Sequence, residues 1–276
     1  LIDPVVYNIP VSMVEKYPGR NLIVRSHDPA EIVGALSMED LARVSYVQIL
    51  SVRSDFQPLT RWGQGIPVDL VLEDPDIEHP LLYGCSPLLA THPVRVTVPV
   101  MPGFSKAVKL SVSLSFPVKL EGSQADASLL EELSQVMHSY LHQATVAQPI
   151  EYFHSLFLAF YRGNPVTIWA IQEEDPSHIR YITDDGNETL SKRFAESGLE
   201  GDVASFVTTF VEELIAEEGE CRCCEFLGNC AGYFKWPQRQ YRCDGVKLLL
   251  QTLRDAAEEL RGDLAAFESI SGEERS

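Results

Sequence analysis

Residues 22–52 read LIVRSHDPAEIVGALSMEDLARVSYVQILSV. The runs Leu22–Arg25 and Tyr46–Val52 are short, apolar and rich in Val and Ile, as strands are. Between them Ser37 precedes Met38-Glu39-Asp40-Leu41. A serine before such a run is an N-cap, and Asp40 sets a carboxylate at the helix start. This predicts a helix over Ser37–Val44. Strand, helix, strand is a βα unit, and such units build parallel sheets. Pro67–Glu73, Val94–Val100 and Leu110–Phe116 continue the strand pattern. Several are nearly continuous Val, Ile and Leu, as expected for strands covered on both faces. The reading is an α/β fold.

Helices follow. In Ser128–Gln143 the apolar residues Leu129, Leu130, Leu133, Val136, Met137, Tyr140 and Leu141 have the spacing of one buried face. Pro149 can open the next helix and Gly163 can close it. Val166–Ile171 and Ile179–Thr183 read as two short strands, the second running into the turn Asp184–Gly186. Asp202 can cap a helix carrying Val203, Phe206, Val207, Phe210, Val211 and Leu214. A last helix, Val246–Leu260, is expected to bury Leu249, Leu250, Leu253 and Leu260. A change of composition near Gly163–Pro165 divides the chain into residues 1–164 and 165–276.

The 276 residues carry 22 Lys and Arg against 40 Asp and Glu, a net charge of −18. Phosphate backbones attract the opposite sign, so neither nucleic acid nor an anionic membrane is an expected partner. No apolar run approaches the roughly 18 residues of a membrane helix. The first residues, LIDPVVYNIPVS, do not read as an export signal. The expected compartment is the reducing cytoplasm, where cysteines are not paired as disulfides.

Five of the six cysteines fall between 221 and 243, in CRCCEFLGNCAGYFKWPQRQYRC. From Cys221 the spacing is C-x2-C-x5-C-x12-C. A C-x2-C step turns two thiolates into one loop. Gly228, Gly232 and Pro237 keep the segment irregular, which frees backbone N–H groups to face cluster sulfurs. An iron–sulfur cluster held by four cysteines is the first reading. Zinc is the alternative, although a zinc site usually pairs two C-x2-C arms. Adjacent Cys223 and Cys224 compete for the second ligand, and the commoner x2 step favours Cys224.

This segment resembles the C-terminal SPASM domain of radical SAM peptide-modifying enzymes, over about residues 165–262. That family carries C-x2-C-x5-C-x3-C and a later lone cysteine, of which the first three and the last hold the outer auxiliary cluster. Carried over, the resemblance implies one 4Fe–4S cluster on Cys221, Cys224, Cys230 and Cys243. Phe234 stands at the family's x3 cysteine, and Ser191, in TDDGNETLS, stands at an upstream one. Both departures remove ligands of the same inner cluster. The first half resembles, weakly, the start of the radical SAM partial barrel. The family's C-x3-C-x2-C loop would fall on SHDPAEIVGA, which has no cysteine, and its Gly-Gly-Glu motif on RSDFQ. The resemblance thus implies a degenerate partial (β/α) barrel followed by a small α+β SPASM-like domain. It implies a pseudo-radical-SAM protein: a non-catalytic iron–sulfur partner that does not use S-adenosylmethionine. Its cluster would be structural or electron-transferring, and its partner a peptide substrate or an active radical SAM enzyme. An enzyme using the cluster or a nearby thiol, and a zinc-stapled binding module, are the alternatives.

Other features read plainly. His138, His142 and His154 complete no metal motif. Cys85, in LLYGCSPLL, reads as a buried inert thiol. Tyr233, Phe234 and Trp236 beside the cysteines can seal a cluster from water. The opposing reading makes them a peptide-binding surface, together with the loop His27–Ala35.

Overall fold

Strand β1 (Val6–Pro10) lies ahead of the first strand expected from the sequence. The computed structural model describes residues 5–122, 124–197 and 202–273. In it β1 is followed by β2 (Asn21–Ser26), β3 (Val44–Leu50), β4 (Val68–Val71), β5 (Val94–Pro99), β6 (Val118–Glu121) and β7 (Ile150–Glu151). These seven pair in parallel, each with the next in sequence. A later hairpin, β8 (Ile179–Ile182) and β9 (Glu188–Thr189), extends the opposite edge. There β8 runs parallel to β1, and β9 antiparallel to β8. The fold is α/β, on a nine-stranded, mostly parallel sheet.

Prolines mark the entry to four strands. Pro67, Pro93, Pro117 and Pro149 stand immediately before Val68, Val94, Val118 and Ile150. Proline is tolerated at a strand start, where its missing N–H costs no ladder bond. Its carbonyl still serves the neighbouring strand: Val47 N donates to Pro67 O at 3.0 Å, Val68 N to Pro93 O at 2.8 Å and Val118 N to Pro149 O at 3.0 Å.

The long helices are α1 (Phe104–Ser113), α2 (Ala127–His142), α3 (Phe153–Arg162), α4 (Phe206–Ala216) and α5 (Asp244–Glu273). Asp126 caps α2 by accepting from Ser128 N and Leu129 N, and left-handed Gly163 ends α3. Asp202 accepts from Ala204 N and Ser205 N ahead of α4, as expected. Ser37 and Asp40 form a reciprocal capping box on the short helix Met38–Leu41. α5 packs across α2 and α3 through Leu249, Leu250 and Leu253.

Four expectations are corrected. Leu110–Phe116 lies largely in helix α1, not in a strand; Ser111 Oγ donates to Ala107 O one turn back, and the strand starts after Pro117. Val166–Ile171 contains a helical turn, Ile168–Ile171, capped by Thr167, whose Oγ1 accepts from Ala170 N. Pro149 opens strand β7 rather than helix α3. Leu260 is 39 % exposed, because α5 has left the body of the protein by that turn.

The sheet has one apolar and one polar face. Val24, Val47, Ile49, Leu70, Val96, Val98 and Leu120 are buried on the first. On the second, register aligns Arg25 with Gln48, Gln48 with Asp69, Asp69 with Arg95, and Thr97 with Lys119. Asn8, Arg25, Asp69, Thr97 and Lys119 are buried. The expectation of strands apolar on both faces, drawn from their Val content, is thereby corrected too: both faces are covered, but one of them is polar.

Candidate metal centre

The segment after α4 folds back on itself, because its backbone repeatedly adopts the left-handed region. Glu218 has φ 55°, Ala231 φ 44° and Gly232 φ 74°. At Gly232 a Cβ would stand 2.6 Å from Leu214 Cδ1, so glycine there also permits close packing on α4. Between these turns Cys224 N donates to Cys221 O at 3.2 Å and Leu227 N to Cys224 O at 3.1 Å. The single turn Leu227–Cys230 follows, and Cys243 stands immediately before α5.

These turns bring Cys221, Cys224, Cys230 and Cys243 onto the wall of one cavity. It holds about 360 Å³ of unfilled space including its mouth, and Phe226, Leu227, Phe234, Val246 and Leu250 complete its apolar lining. Cys223 is exposed and does not line it. Among the described residues, no three His, Cys, Asp or Glu side chains are grouped as ligands of a single metal ion.

Burial pushes the Cys230 thiol up to about 11, against the pull of hydrogen bonds from the backbone N–H groups of Phe234 and Gly232. Burial likewise raises Cys221, and it raises Cys243 to about 12, while Lys235 pulls both down. The cavity thus disfavours bare thiolates and still points positive groups at them. Lys235 is buried, donating to Glu220 and Tyr241 O, and Lys247 donates to the other Glu220 oxygen. Those two ammonium groups hold the Glu220 carboxyl down at about 2, although its partial burial acts in the other direction. Such a setting suits a group that supplies cationic metal to the sulfurs while carrying net negative charge overall.

Aromatic packing fixes the segment from behind. Tyr233 and Phe234 are buried, and Trp236 stacks on Phe194 with centroids 4.7 Å apart. Trp169 is buried against Tyr233 and donates Nε1–H to Ala231 O at 2.8 Å. Gln124 Nε2 donates to Phe234 O and Gln238 O, and Tyr241 OH to Ala125 O. Tyr233 and Phe234 are therefore core residues that hold the cysteine loop, not an exposed peptide surface. Cys85 lies apart, fully buried and pushed to about 12 by that burial. His154 Nδ1 is paired with Tyr140 OH at 2.8 Å, and the His138 and His142 rings lie with centroids 4.5 Å apart, tilted at 51°.

The polar face of the sheet is a second cluster of charged groups, and sequence reasoning missed it. Glu173, itself at φ 60°, lies over this face. Its carboxylate accepts from Arg95, from Lys119 at 2.8 Å and from Tyr46 OH at 2.9 Å. Lys119 and Arg95 hold that carboxyl far below the usual range despite its burial. Asp69 accepts from Arg95, Gln48 and Thr97, and Glu174 from Arg193. Arg25 donates to Asn8 O, to Ile182 O and to Asp184. The signal was present as the alternation in VDLV, VRVTV and VKLE, whose polar members all fall on one face.

Comparison of the chain with protein-family models, with curated proteins and with solved structures gave no match in any of the three.

Proposed function

We propose that Cys221, Cys224, Cys230 and Cys243 hold one 4Fe–4S cluster, and that the chain is a non-catalytic partner protein in peptide modification. The observation that carries the cluster is the shared cavity: four thiols at C-x2-C-x5-C-x12-C line it, and Cys223 does not. Zinc would draw its sulfurs to about 2.3 Å from a single centre, whereas a cluster spreads its thiolates over separate irons. The N–H groups of Gly232 and Phe234 on Cys230 are of the kind that stabilise cluster-bound sulfur.

The partner reading rests on the SPASM-like spacing and on the order of strands β1 to β7. Consecutive parallel strands are the arrangement of a (β/α) barrel, and this supports a degenerate barrel joined to a cluster-binding segment. No cysteine lies in the turns that follow β1 or β2. A cluster ligated by four cysteines leaves no iron open to substrate, so its role would be structural or electron-transferring. The partner would be a precursor peptide or an active radical SAM maturase.

Anaerobic purification with iron and sulfide analysis tests the cluster. About four irons and matching sulfide per chain are expected; stoichiometric zinc without sulfide would refute it. Cys230→Ser should lose the iron and Cys223→Ser should keep it. Incubation of the reduced chain with S-adenosylmethionine should yield no 5′-deoxyadenosine. Co-purification from the native host should return a maturase or its peptide, and turnover by the isolated chain would replace this reading with the enzyme.

A further inference from the structure

Above the polar face of the sheet lies a small open cavity of about 70 Å³. It sits where β3, β4 and β6 end, under the segments 172–174 and 190–192, and Leu50, Val71 and Glu121 line it. In parallel α/β sheets this is the end at which ligands bind, because the loops there converge.

The polar groups around it divide into two sets. Asp69, Glu173 and Glu174 are neutralised by Arg95, Lys119 and Arg193. The Lys119 ammonium donates to Gln172 O and Glu173 and also acts on Glu121. The acceptor atoms of the second set make no side-chain hydrogen bond among the described residues, although Glu121 lies in the field of Lys119 and Arg193. Glu121, an exposed residue at the end of β6, lines the cavity, and among the described residues its carboxylate takes part in no hydrogen bond or ion pair. Gln172 Oε1 and Ser191 Oγ line the same cavity, buried and unpaired. Gln172 is only 3 % exposed, and its Nε2 is committed to Leu120 O. Desolvation of the carboxyl group pushes Glu121 up, with Glu174 acting the same way and Lys119 pulling it down.

We infer that this cavity binds a primary alkylammonium group, with the Glu121 carboxylate as counter-ion and Gln172 Oε1 and Ser191 Oγ as further acceptors. Three acceptors on separate segments suit the three donors of an –NH3⁺ group. A guanidinium would need its acceptors coplanar. Leu50, Val71, Ile179 and Leu190 supply an apolar lining for an alkyl stem. The chain's net charge of −18 steers cations towards it. The ammonium can come from a free alkylamine or from a lysine side chain of a polypeptide. The inference is independent of the cysteine cavity.

The test is calorimetric titration of the anaerobically purified chain with n-butylammonium and, separately, with Nα-acetyl-lysine N-methylamide; butyrate serves as control. Saturable one-to-one binding of an ammonium probe is expected, and none of butyrate. Binding of the lysine probe alone points to a polypeptide source; binding of both admits a free amine. Glu121→Gln should weaken binding roughly 10- to 100-fold, the worth of a charge-assisted contact. Should that variant fail to fold, Glu121→Asp, which keeps the charge one methylene shorter, should still weaken it. Cys230→Ser should bind as the wild type does, which separates this site from the cluster. Arg25, Lys119 and Lys192 also line the cavity; Arg25 and Lys119 are held by their own partners, which leaves Lys192 to be tested as an intramolecular rival. Lys192→Ala should retain binding. Binding that appears only in Lys192→Ala, unchanged affinity in Glu121→Gln, or no saturable heat with either ammonium probe would each overturn the inference.

Discussion

Removing the Glu173 carboxylate should be among the most damaging single changes outside the apolar core. That carboxylate joins Arg95 of β5, Lys119 of β6 and Tyr46 of β3, with contacts of 2.8 to 3.0 Å. In Glu173→Ala, Arg95 keeps Asp69 at 2.9 Å, but Lys119, only 5 % exposed, keeps only Gln172 O at 3.1 Å. Breaking a buried ion pair and leaving one charge behind costs about 3–5 kcal/mol. A domain of this kind has roughly 5–15 kcal/mol in all. Glu173→Gln keeps the shape and one acceptor, so its loss should be smaller, and adding Lys119→Met to it should recover part by removing the stranded cation. Urea unfolding at pH 7 reads these losses as a lower midpoint at unchanged slope. The pH dependence has a definite sign. Lys119 and Arg95 hold the folded-state pKa of Glu173 below its ordinary value of 4.5. Its contribution is therefore full above about pH 4.5 and is lost as pH falls below that, because protons then favour the unfolded chain. The gap between wild type and Glu173→Gln should narrow on acidification. A loss under about 1 kcal/mol for Glu173→Ala, against the range for a broken buried pair, or a gap that stays constant with pH, would refute the reasoning.

Three further outcomes are expected. Gly232→Ala places a Cβ at φ 74° and 2.6 Å from Leu214 Cδ1, and should cost about 1–3 kcal/mol with a matching fall in iron content on anaerobic preparation. Ser37→Ala removes the capping box and should cost about 1 kcal/mol by urea titration. Ser37 and Arg43 hold the Asp40 carboxyl at about 2, so the part of this stability that depends on its charge should fade as pH drops from about 4 towards 2. On the proposed cluster reading, oxidative release of iron should speed amide exchange across residues 221–243 and leave β2 to β6 protected; equal exchange with and without iron would disconnect that loop from the metal.

The α/β class was legible because strand and helix periods alternate along residues 22–52, and the N-caps Ser37 and Asp202 read correctly because capping is local chemistry. The errors arose where two periods overlap or where one residue does two jobs. LSVSLSF alternates every second residue and also fits a helix face, and the helix prevailed because Pro117 puts the strand start after it. Strand β1 went unread because Asn8 and Pro10 interrupt a five-residue run, although Asn8 Nδ2 donates to Gln48 across the polar face. The cysteine spacing was visible in the sequence, but the choice between Cys223 and Cys224 depends on which side chain a turn directs inward. The polar face was the largest omission. Alternating charges usually mark the solvent side of a strand, and here they are covered by residues 172–174, more than fifty positions beyond Lys119. No local rule announces that cover, because it depends on Glu173 reaching back across the sheet from a left-handed turn. The charged row that is buried here, Arg25, Asp69 and Lys119 under Glu173, costs folding energy that a purely structural sheet would avoid with apolar residues, and exposed Glu121 stands at its open end. Its persistence in the fold is the physical reason to look for a ligand there rather than to treat the sheet as a scaffold for the cysteine loop alone.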